Sequence, residues 1–365
     1  MQVEQYGSSL FRQQIVAAVL SGRPLKLSGI HPQGAAGDHA GLTEYEANFL
    51  KFIDRVTNGT KMAVSDANQT ISLQPGFILG GTFSHAVPAS RGVGYIIEAA
   101  LLLLPFAKYP SEITFTGATQ HPDDLSVDTI RTVTIRWLQL YGVETNLRVV
   151  RRGAGERPDG CVILSVNNVR KLNAVNITER GKIKRIRGIA FASNTAPNLP
   201  NRCATSAKGV LLNLLPDVYV VTDISNKKTT GEGNSSGYGV VLVAESTSKL
   251  CVISQETTSQ LREVPEDVGQ RAARLLLEQV MSGGCVDAVH QYFTLMLCAL
   301  AKDDLSTLRF GALTDLAVST LGILETYFGV TVAIKEEPSA HEGLPPTILV
   351  SMMGSNSINI AKRSG

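Results

Sequence analysis

Several familiar signatures are scarce or missing in this chain of 365 residues. It has five cysteines, widely spaced and without a C-x-x-C pair, which argues against a disulfide framework or zinc site and for reduced, buried thiols. Aromatic residues make up only 6%, which argues against a surface built from stacking platforms. The most apolar run, Tyr95–Ala107, is interrupted by Glu98 and Pro105 and is shorter than the ~20 residues of a membrane span, so it predicts a buried helix. Because the N-terminus also lacks a signal-peptide pattern, we expect a soluble protein with no membrane partner.

Catalytic motifs are missing as well. None of the six histidines has a metal-ligand spacing, and G-x-S-x-G, Walker and G-x-G-x-x-G loops are absent, so no metal site is expected. Cys285 near Asp287 and His290 allows a Cys–His pair, but a packed thiol explains the spacing better. Asp123 and Asp124 resemble a carboxylate pair, although loop charges before a helix are the better interpretation.

The residues that are present describe a globular protein. Hydrophobic residues make up 44% and the formal net charge is only +2, which excludes whole-chain disorder and a uniformly basic, histone-like binder. Amphipathic segments alternate with short β-branched runs, so the sequence predicts an α/β or α+β protein with helices on one face of its sheets. The segments predicted to be helical include Leu10–Leu20, capped by Ser8 or Ser9 and ended by Gly22, a segment that begins at a Thr43–Glu46 capping box, and Asp267–Met281.

One loop, Lys227–Gly237, is rich in glycine and serine and invites a phosphate-cradle interpretation. It joins two predicted strands and does not precede a helix, so a flexible strand connection is the better interpretation.

The charge is unevenly distributed. Residues 148–187 contain eleven basic and three acidic residues, so this window carries +8 and the rest of the chain −6. The window ends in Lys182, Lys184, Arg185 and Arg187, with basic groups on both faces of a predicted strand. That pattern suits an exposed sheet edge or a domain junction, and we expect it to bind a polyanion. The alternative is a solvated edge strand that charge protects from aggregation.

Several segments resemble the RNA 3′-terminal phosphate cyclase superfamily, and specifically its cyclase-like branch. They are PGFILGG (residues 75–81), the stretch from His85 to Arg91 and Tyr95, SGRPL (21–25), GKIKRIRG (181–188), GGCVD (283–287) and the closing segment from residue 347. The resemblance implies a core of repeated βαβαβ-type units with helices on one face. It also implies a smaller inserted α/β domain at residues 182–282, between core segments 1–181 and 283–365.

The resemblance also shows what this sequence has lost. True cyclases adenylate a histidine that opens an H-x-x-T-N helix, and the matching positions here are Leu316, Ser319 and Thr320. Their glycine-rich E-G-G-G-Q-x-x-R run corresponds to residues 5–12, where Gln5 replaces the glutamate and Arg12 is retained. The phosphate-binding arginines would fall in residues 31–41, which contain no Arg or Lys. Since leucine cannot form a phosphoramidate, we expect no cyclase activity and no cofactor.

The branch implies a nuclear, nucleolar factor of the small-subunit processome that binds pre-rRNA within a snoRNA-containing complex, with a nucleolar GTPase as partner. The candidate RNA- or anion-binding residues are Arg12, His85, Arg91, Lys182, Lys184, Arg185 and Arg187. The alternative is an endonuclease that cleaves pre-rRNA at an unidentified site. A small-molecule enzyme on the same core topology is a weaker alternative.

Overall fold

Helices and strands alternate along the chain in the computed structural model, which describes residues 2–32, 40–155, 158–193, 195–225, 237–260, 263–338 and 343–362. The helices are α1 (Phe11–Ser21), α2 (Glu44–Val56), α3 (Val93–Leu103), α4 (Val127–Thr129), α5 (Ile135–Leu140), α6 (Asn198–Leu211), α7 (Pro265–Met281), α8 (Gln291–Leu300) and α9 (Asp315–Phe328). The strands are β1 (Val3–Tyr6), β2 (Leu25–Ser28), β3 (Thr57–Asn58), β4 (Lys61–Val64), β5 (Thr70–Gln74), β6 (Phe77–Ile78), β7 (Thr82–Ala86), β8 (Ser111–Gly117), β9 (Thr145–Arg151), β10 (Gly160–Val166), β11 (Asn176–Ile177), β12 (Ile183–Ser193), β13 (Val218–Ser225), β14 (Gly237–Ser246), β15 (Val252–Thr258), β16 (Leu305–Phe310), β17 (Val332–Glu337) and β18 (Thr347–Met353).

Three four-stranded sheets share one topology. Their strand orders are β1-β2-β5-β4, β7-β8-β10-β9 and β11-β16-β18-β17, so the fourth strand of each unit always lies between the second and the third. In every unit the first two strands are parallel and the other pairs are antiparallel. Each unit therefore reads βαβαββ. The predicted α/β class with repeated strand–helix units is confirmed, with one more strand per unit than expected.

Local sequence signals explain most helix ends. Gly22 ends α1 with a φ of 68°, which glycine adopts without strain. The predicted capping box of Thr43 and Glu46 begins α2. The predicted serine cap of α1 is wrong, because Leu10 holds the N-cap position and makes no side-chain hydrogen bond there. Between α4 and α5 the chain passes through a π-helical turn, Ile130–Thr134.

The helices of the three units meet in the interior. Helix α1 contacts α2, α3 and α9, and α8 contacts α3 and α9, so the helical faces of the sheets turn towards one another. All eleven residues of α3 are buried, which confirms the buried helix expected from the apolar run. No helix among the described residues is long and apolar enough to cross a membrane.

A fourth sheet is inserted between β11 and α8 of the third unit. Its strand order is β13-β12-β14-β15, and α6 and α7 cover one face around a separate apolar cluster. The two helices approach closely at Gly269, where a Cβ would lie 2.2 Å from the carbonyl oxygen of Cys203. On the opposite face, Val241, Val243 and Val252 pack into the main core. We call residues 183–281 the insert, while its boundaries at 182 and 282 stay a prediction.

Candidate RNA and nucleotide site

Arg12, which the cyclase-like motif retains, is committed to an internal contact. It lies in the first turn of α1, pairs with Glu98 through Nη2, and donates from Nη1 to the carbonyl oxygen of Tyr95 at 2.8 Å. Its guanidinium carbon lies 4.8 Å from the centre of the Tyr95 ring. Burial works against the charge, but Glu98 together with Tyr95, Tyr292 and Asp124 outweighs it, so the pKa of Arg12 is raised. Arg12 is therefore held by α3.

Arg91 is held in the same way on the other side of the Tyr95 ring. Its Nε donates to Asp124 Oδ2 at 2.9 Å and its Nη2 to Oδ1 at 2.6 Å. Its guanidinium carbon lies 4.5 Å from the Tyr95 ring centre and 5.1 Å from that of Tyr45. Asp124 also accepts from the backbone N–H of Gly92 at 2.8 Å. Asp124 thus secures the start of α3, in keeping with its interpretation as a loop charge.

Leu316 occupies the second position of α9 and packs half-buried against the main core. The helix begins at Thr314, whose hydroxyl accepts from the backbone N–H of Ala317 at 3.2 Å. Thr320 turns inward and donates to the carbonyl oxygen of Leu316 at 2.6 Å. Gln5, the other altered position, is half-buried on β1 and pairs with Leu27. The first turn of α9 therefore presents an aliphatic side chain where a nucleophile would be needed.

His85 lies in the core, which removes it from our candidate RNA contacts. The residue is 5% exposed, and its ring lies against those of Phe52 and Phe115. Its Nε2 is 2.9 Å from Asn48 Oδ1. Burial, reinforced by Arg55 and Lys51, lowers the pKa of His85 to about 4. A neutral, enclosed imidazole cannot attract a phosphate, so the expectation of an RNA contact here is wrong.

The basic segment, which we define as Lys182–Arg187, lies at the start of β12. Both lysines are exposed, and no ion pair to either is found among the described residues. Arg185 bonds Glu245 Oε2 at 2.7 Å, and Arg187 bonds Asp217 Oδ1 at 2.8 Å. The two arginines thus support the insert sheet, and the two lysines are the free cations of the segment.

The strand that carries the basic segment is a central strand over most of its length, although one interpretation predicted an edge strand. From Ile186 to Ser193, β12 is bonded to β13 on one side and β14 on the other. Only its first residues extend past β13, with a register shift between Ile183 and Arg185. As a whole β12 is therefore not an edge strand, whereas Lys184 and Arg185 precede its pairing with β13, so this part of the segment does lie at an edge. The basic segment also lies where the chain passes from the core into the insert, which is consistent with the alternative interpretation of a domain junction.

Arg152, counted in the basic window, is buried between core and insert. It bonds both carboxylate oxygens of Asp128 at 2.6 and 3.0 Å and Asp223 Oδ2 at 2.7 Å. Its guanidinium carbon lies 5.7 Å from the Phe191 ring centre. Because the side chain is only 2% exposed, Arg152 contributes nothing to a surface that RNA reaches. The charge count overstates the accessible cations for this reason.

A second buried contact joins Glu256 of β15 to the start of α4. Its carboxylate accepts from the backbone N–H of Ser126 at 2.9 Å, from the Ser126 hydroxyl, and from the Thr129 hydroxyl at 2.6 Å. Burial raises the pKa of Glu256, although these hydrogen bonds favour its charged form. The carboxylate therefore occupies the helix N-terminus that an anion would otherwise favour.

Asp287 and His290 do form a pair, within a chain of buried groups that resembles a catalytic triad. Asp287 Oδ1 lies 2.5 Å from His290 Nδ1, and His290 Nε2 lies 2.8 Å from the Thr134 hydroxyl. His290 and Thr134 are fully buried, so no substrate reaches the threonine.

A hydrogen bond with Cys251 together with burial raises the pKa of Cys285 far above its usual value, which confirms a packed thiol. The Asp287–His290 pair also connects the core to the insert, because Asp287 Oδ2 accepts a hydrogen bond from the Ser254 backbone N–H at 2.7 Å.

A cleft of about 490 Å³ opens between core and insert, and its lining includes Gln120, His121, Phe191 and Tyr238. Its described lining contains no Lys or Arg. Lys184 and Phe191 are seven positions apart on β12, or roughly 23 Å along an extended strand. This cleft therefore lies away from the basic segment.

Two further points concern the motifs of the sequence. Within the described ranges, no group of three or more His, Cys, Asp and Glu is arranged to hold a metal ion. The Lys227–Gly237 loop lies outside the described residues except for Gly237.

Sequence reasoning missed the contacts of Arg152 and Glu256, since their partners lie far away along the chain and no local spacing signals them.

Comparisons with known proteins agree with the motifs. The sequence model of the family described as RNA 3′-terminal phosphate cyclase matches residues 3–334. A probable RNA 3′-terminal phosphate cyclase-like protein of Dictyostelium discoideum is 36% identical, over 98% of each chain. The human RNA 3′-terminal phosphate cyclase-like protein is 35% identical, over 92% of this chain and 91% of its own. The rRNA processing protein rcl1 of Schizosaccharomyces pombe is 34% identical, over 98% and 97%. These similarities confirm the resemblance that the motifs indicate.

Proposed function

The chain belongs to the RNA 3′-terminal phosphate cyclase family, and on that premise we propose that it acts in ribosomal RNA processing without RNA cyclisation. The similarity to a protein named for rRNA processing supports the first part. The similarity to several proteins named cyclase-like supports the second.

Leu316 is the observation that carries the loss of cyclase activity. Adenylation needs an imidazole nitrogen at this position of the family's helix, and a leucine side chain has no lone pair to attack a phosphorus atom. Helix α9 is well formed around Leu316, with a hydroxyl cap and a packed core face, so the helix is retained while its chemistry is absent. Arg12, held by Glu98, would have to break a buried ion pair before it reached a triphosphate.

The proposed RNA contact is the basic segment, and within it chiefly Lys182 and Lys184. Exposed lysines that hold no carboxylate are available to phosphates, whereas Arg185 and Arg187 already bond Glu245 and Asp217. The substrate would be pre-rRNA in a snoRNA-containing small-subunit processome, with a nucleolar GTPase as partner and the nucleolus as location. We also propose that residues 182–282 form an inserted domain that presents this segment.

The experiment compares two double variants of the full chain that change the net charge equally. Lys182→Glu with Lys184→Glu removes the proposed contact, and Lys51→Glu with Lys61→Glu changes two exposed lysines of the first unit. Binding to a pre-rRNA fragment is measured across a salt series. We expect the first variant to bind more weakly and to lower the slope of log affinity against log salt by about 1.4, for two lost phosphate contacts. Equal slopes in both variants would show that the segment is only a solvated surface.

The endonuclease alternative has a separate outcome. Purified chain incubated with a precursor rRNA fragment should leave it intact, because the proposed function assigns no cleaving group. A site-specific product that the purified chain generates on its own would replace the proposal with a nuclease.

A further inference from the structure

The insert sheet has one face that is only half covered. Helices α6 and α7 pack on one side, and the core covers the β14–β15 half of the other side. Exposure therefore rises across the sheet, from 1% at Val241 of β14 to 41% at Val221 of β13. In the neighbouring row it rises from 7% at Val243 to 58% at Tyr219. No described residue packs over the β12–β13 half, and we call this strip the open face.

Tyr219 stands on β13, the edge strand of the open face, between cations of two different elements. The register places it beside Arg187 on the adjacent parallel strand. Lys208 of α6 reaches round the sheet edge and brings its Nζ to 5.6 Å from the Tyr219 ring centre. Lys184 and Arg185 precede Arg187 by three and two positions on the same strand, and Arg185 bonds Glu245 of β14 at 2.7 Å.

We propose that the open face binds single-stranded RNA, with one unpaired base stacked on Tyr219 and the adjoining phosphates held by Lys184 and Lys208. This proposal rests on the RNA-binding function proposed above and names the form of RNA and the residue that reads it. The low aromatic content argued against a surface built from stacking platforms. The proposal revises that expectation, because a single exposed ring next to basic side chains is enough to stack one base.

Charge and size favour RNA over a protein as the occupant. On the open face Lys184, Arg185, Arg187 and Lys208 outnumber Asp217 and Glu245, and Asp223 at its far end is paired with buried Arg152. The core of a protein interface is depleted of charged residues, whereas on this face two exposed apolar side chains, Tyr219 and Val221, stand among charged ones.

An exposed ring among cations favours a single strand over a duplex. In A-form RNA the bases are stacked on one another and the major groove is too narrow for side chains to read. Proteins that use aromatic rings therefore stack bases from loops, bulges and free ends. A basic surface with one aromatic side chain is the arrangement that single-strand binding uses.

The test uses the full chain, a fluorescent 12-nucleotide oligouridylate and a blunt-ended RNA duplex of the same length, which has no unpaired base. Tyr219→Ala removes the ring, and Tyr219→Phe keeps it. Tyr109→Ala is the matched control, because Tyr109 is 50% exposed and has Lys108 Nζ at 5.2 Å from its ring centre. We expect Tyr219→Ala to weaken oligouridylate binding roughly 5- to 100-fold and to leave binding of the RNA duplex unchanged. The Phe variant and the control should bind like the unmodified chain.

Each other outcome contradicts the proposal in a distinguishable way. If Tyr219→Ala binds oligouridylate normally while the Lys182/Lys184 variant binds RNA weakly, the stacking site is wrong and the proposed function stands. If the unmodified chain binds neither RNA, both are wrong. If Tyr219→Ala changes only the sedimentation coefficient, the open face is a contact between two copies of the chain. Because Tyr219 lies on the surface, an unchanged melting temperature verifies that each variant is folded.

Discussion

The guanidinium of Arg12 and the carboxylate of Glu98 form a buried ion pair that joins the first turn of α1 to α3. The pair links two units of the core, since α1 belongs to the first and α3 to the second. A residue that the family motif retains thus serves the packing of the units in this chain, and this role leads to the first prediction.

Replacing Arg12 with alanine should destabilise the protein by about 3–5 kcal/mol, because Glu98 is left buried without its partner. Urea unfolding measures the change. Arg202→Ala is the control, since Arg202 and Glu266 form an exposed ion pair, and we expect it to cost less than about 1 kcal/mol. The double variant Arg12→Met with Glu98→Leu should recover most of the loss. If Arg12→Ala leaves the free energy of unfolding unchanged, Arg12 is not needed for packing in the unmodified chain, and its charge would be available to an anion.

Arg152 should matter specifically for the seating of the insert on the core. Arg152→Met leaves Asp128, which is fully buried, without its strongest partner, and we expect a loss of about 3 kcal/mol. Hydrogen exchange should also speed up in β13, where Asp223 loses its contact. The neighbouring Arg151→Met is the control, because Arg151 is 38% exposed. Equal effects of the two variants would contradict a special role for Arg152.

The His290–Asp287 pair predicts a pH dependence of stability with a definite sign. Burial disfavours the imidazolium, but the Asp287 carboxylate outweighs it, so the pKa of His290 is raised. A histidine with a higher pKa in the folded chain adds stability that is fully present below about pH 6.5 and is lost as the pH rises through the folded pKa. In urea unfolding, the difference between the unmodified chain and His290→Gln should therefore be larger near pH 6 than near pH 9. A difference that grows towards pH 9 would contradict the pair.

His85 gives the opposite sign and a direct spectroscopic readout. Its pKa is lowered to about 4 by burial and by Arg55 and Lys51, so the ring stays neutral through the usual histidine range. In NMR titrations the His85 resonance, assigned by its absence in His85→Gln, should move only near pH 4. A midpoint near pH 6.5 would mean that the ring is open to solvent. The unfolded chain takes up this proton first, so His85 lowers stability as the pH falls from about 6.5 to 4.

The sequence predicts the parts of this protein that local patterns control. Helical periodicity and the Thr43–Glu46 box locate α2, and the segment predicted as Asp267–Met281 is observed as α7, two residues longer at its start. The retained motifs identify the family and the altered position Leu316. These features depend on residues a few positions apart, where side-chain spacing determines structure.

The missed features all depend on distant partners. Whether β12 is an edge strand is decided by β13 and β14, and the burial of His85 by α2. The eleven basic residues of the window look equivalent in sequence, yet Arg152 is enclosed by Asp128 and Asp223 while Lys182 and Lys184 are exposed. Net charge by segment therefore locates a basic region without telling which of its cations reach the solvent.

The central claim is that this member of the cyclase family has lost the nucleotide chemistry, and covalent labelling tests it most directly. The purified chain is incubated with magnesium, ATP labelled in its α-phosphate and an RNA that ends in a 3′-phosphate. The protein is then denatured and examined for bound label. We predict an unlabelled protein and an unchanged RNA end, because Leu316 offers no nitrogen to AMP. Label that remains on the denatured protein would contradict this account, and mapping the labelled peptide would identify the nucleophile.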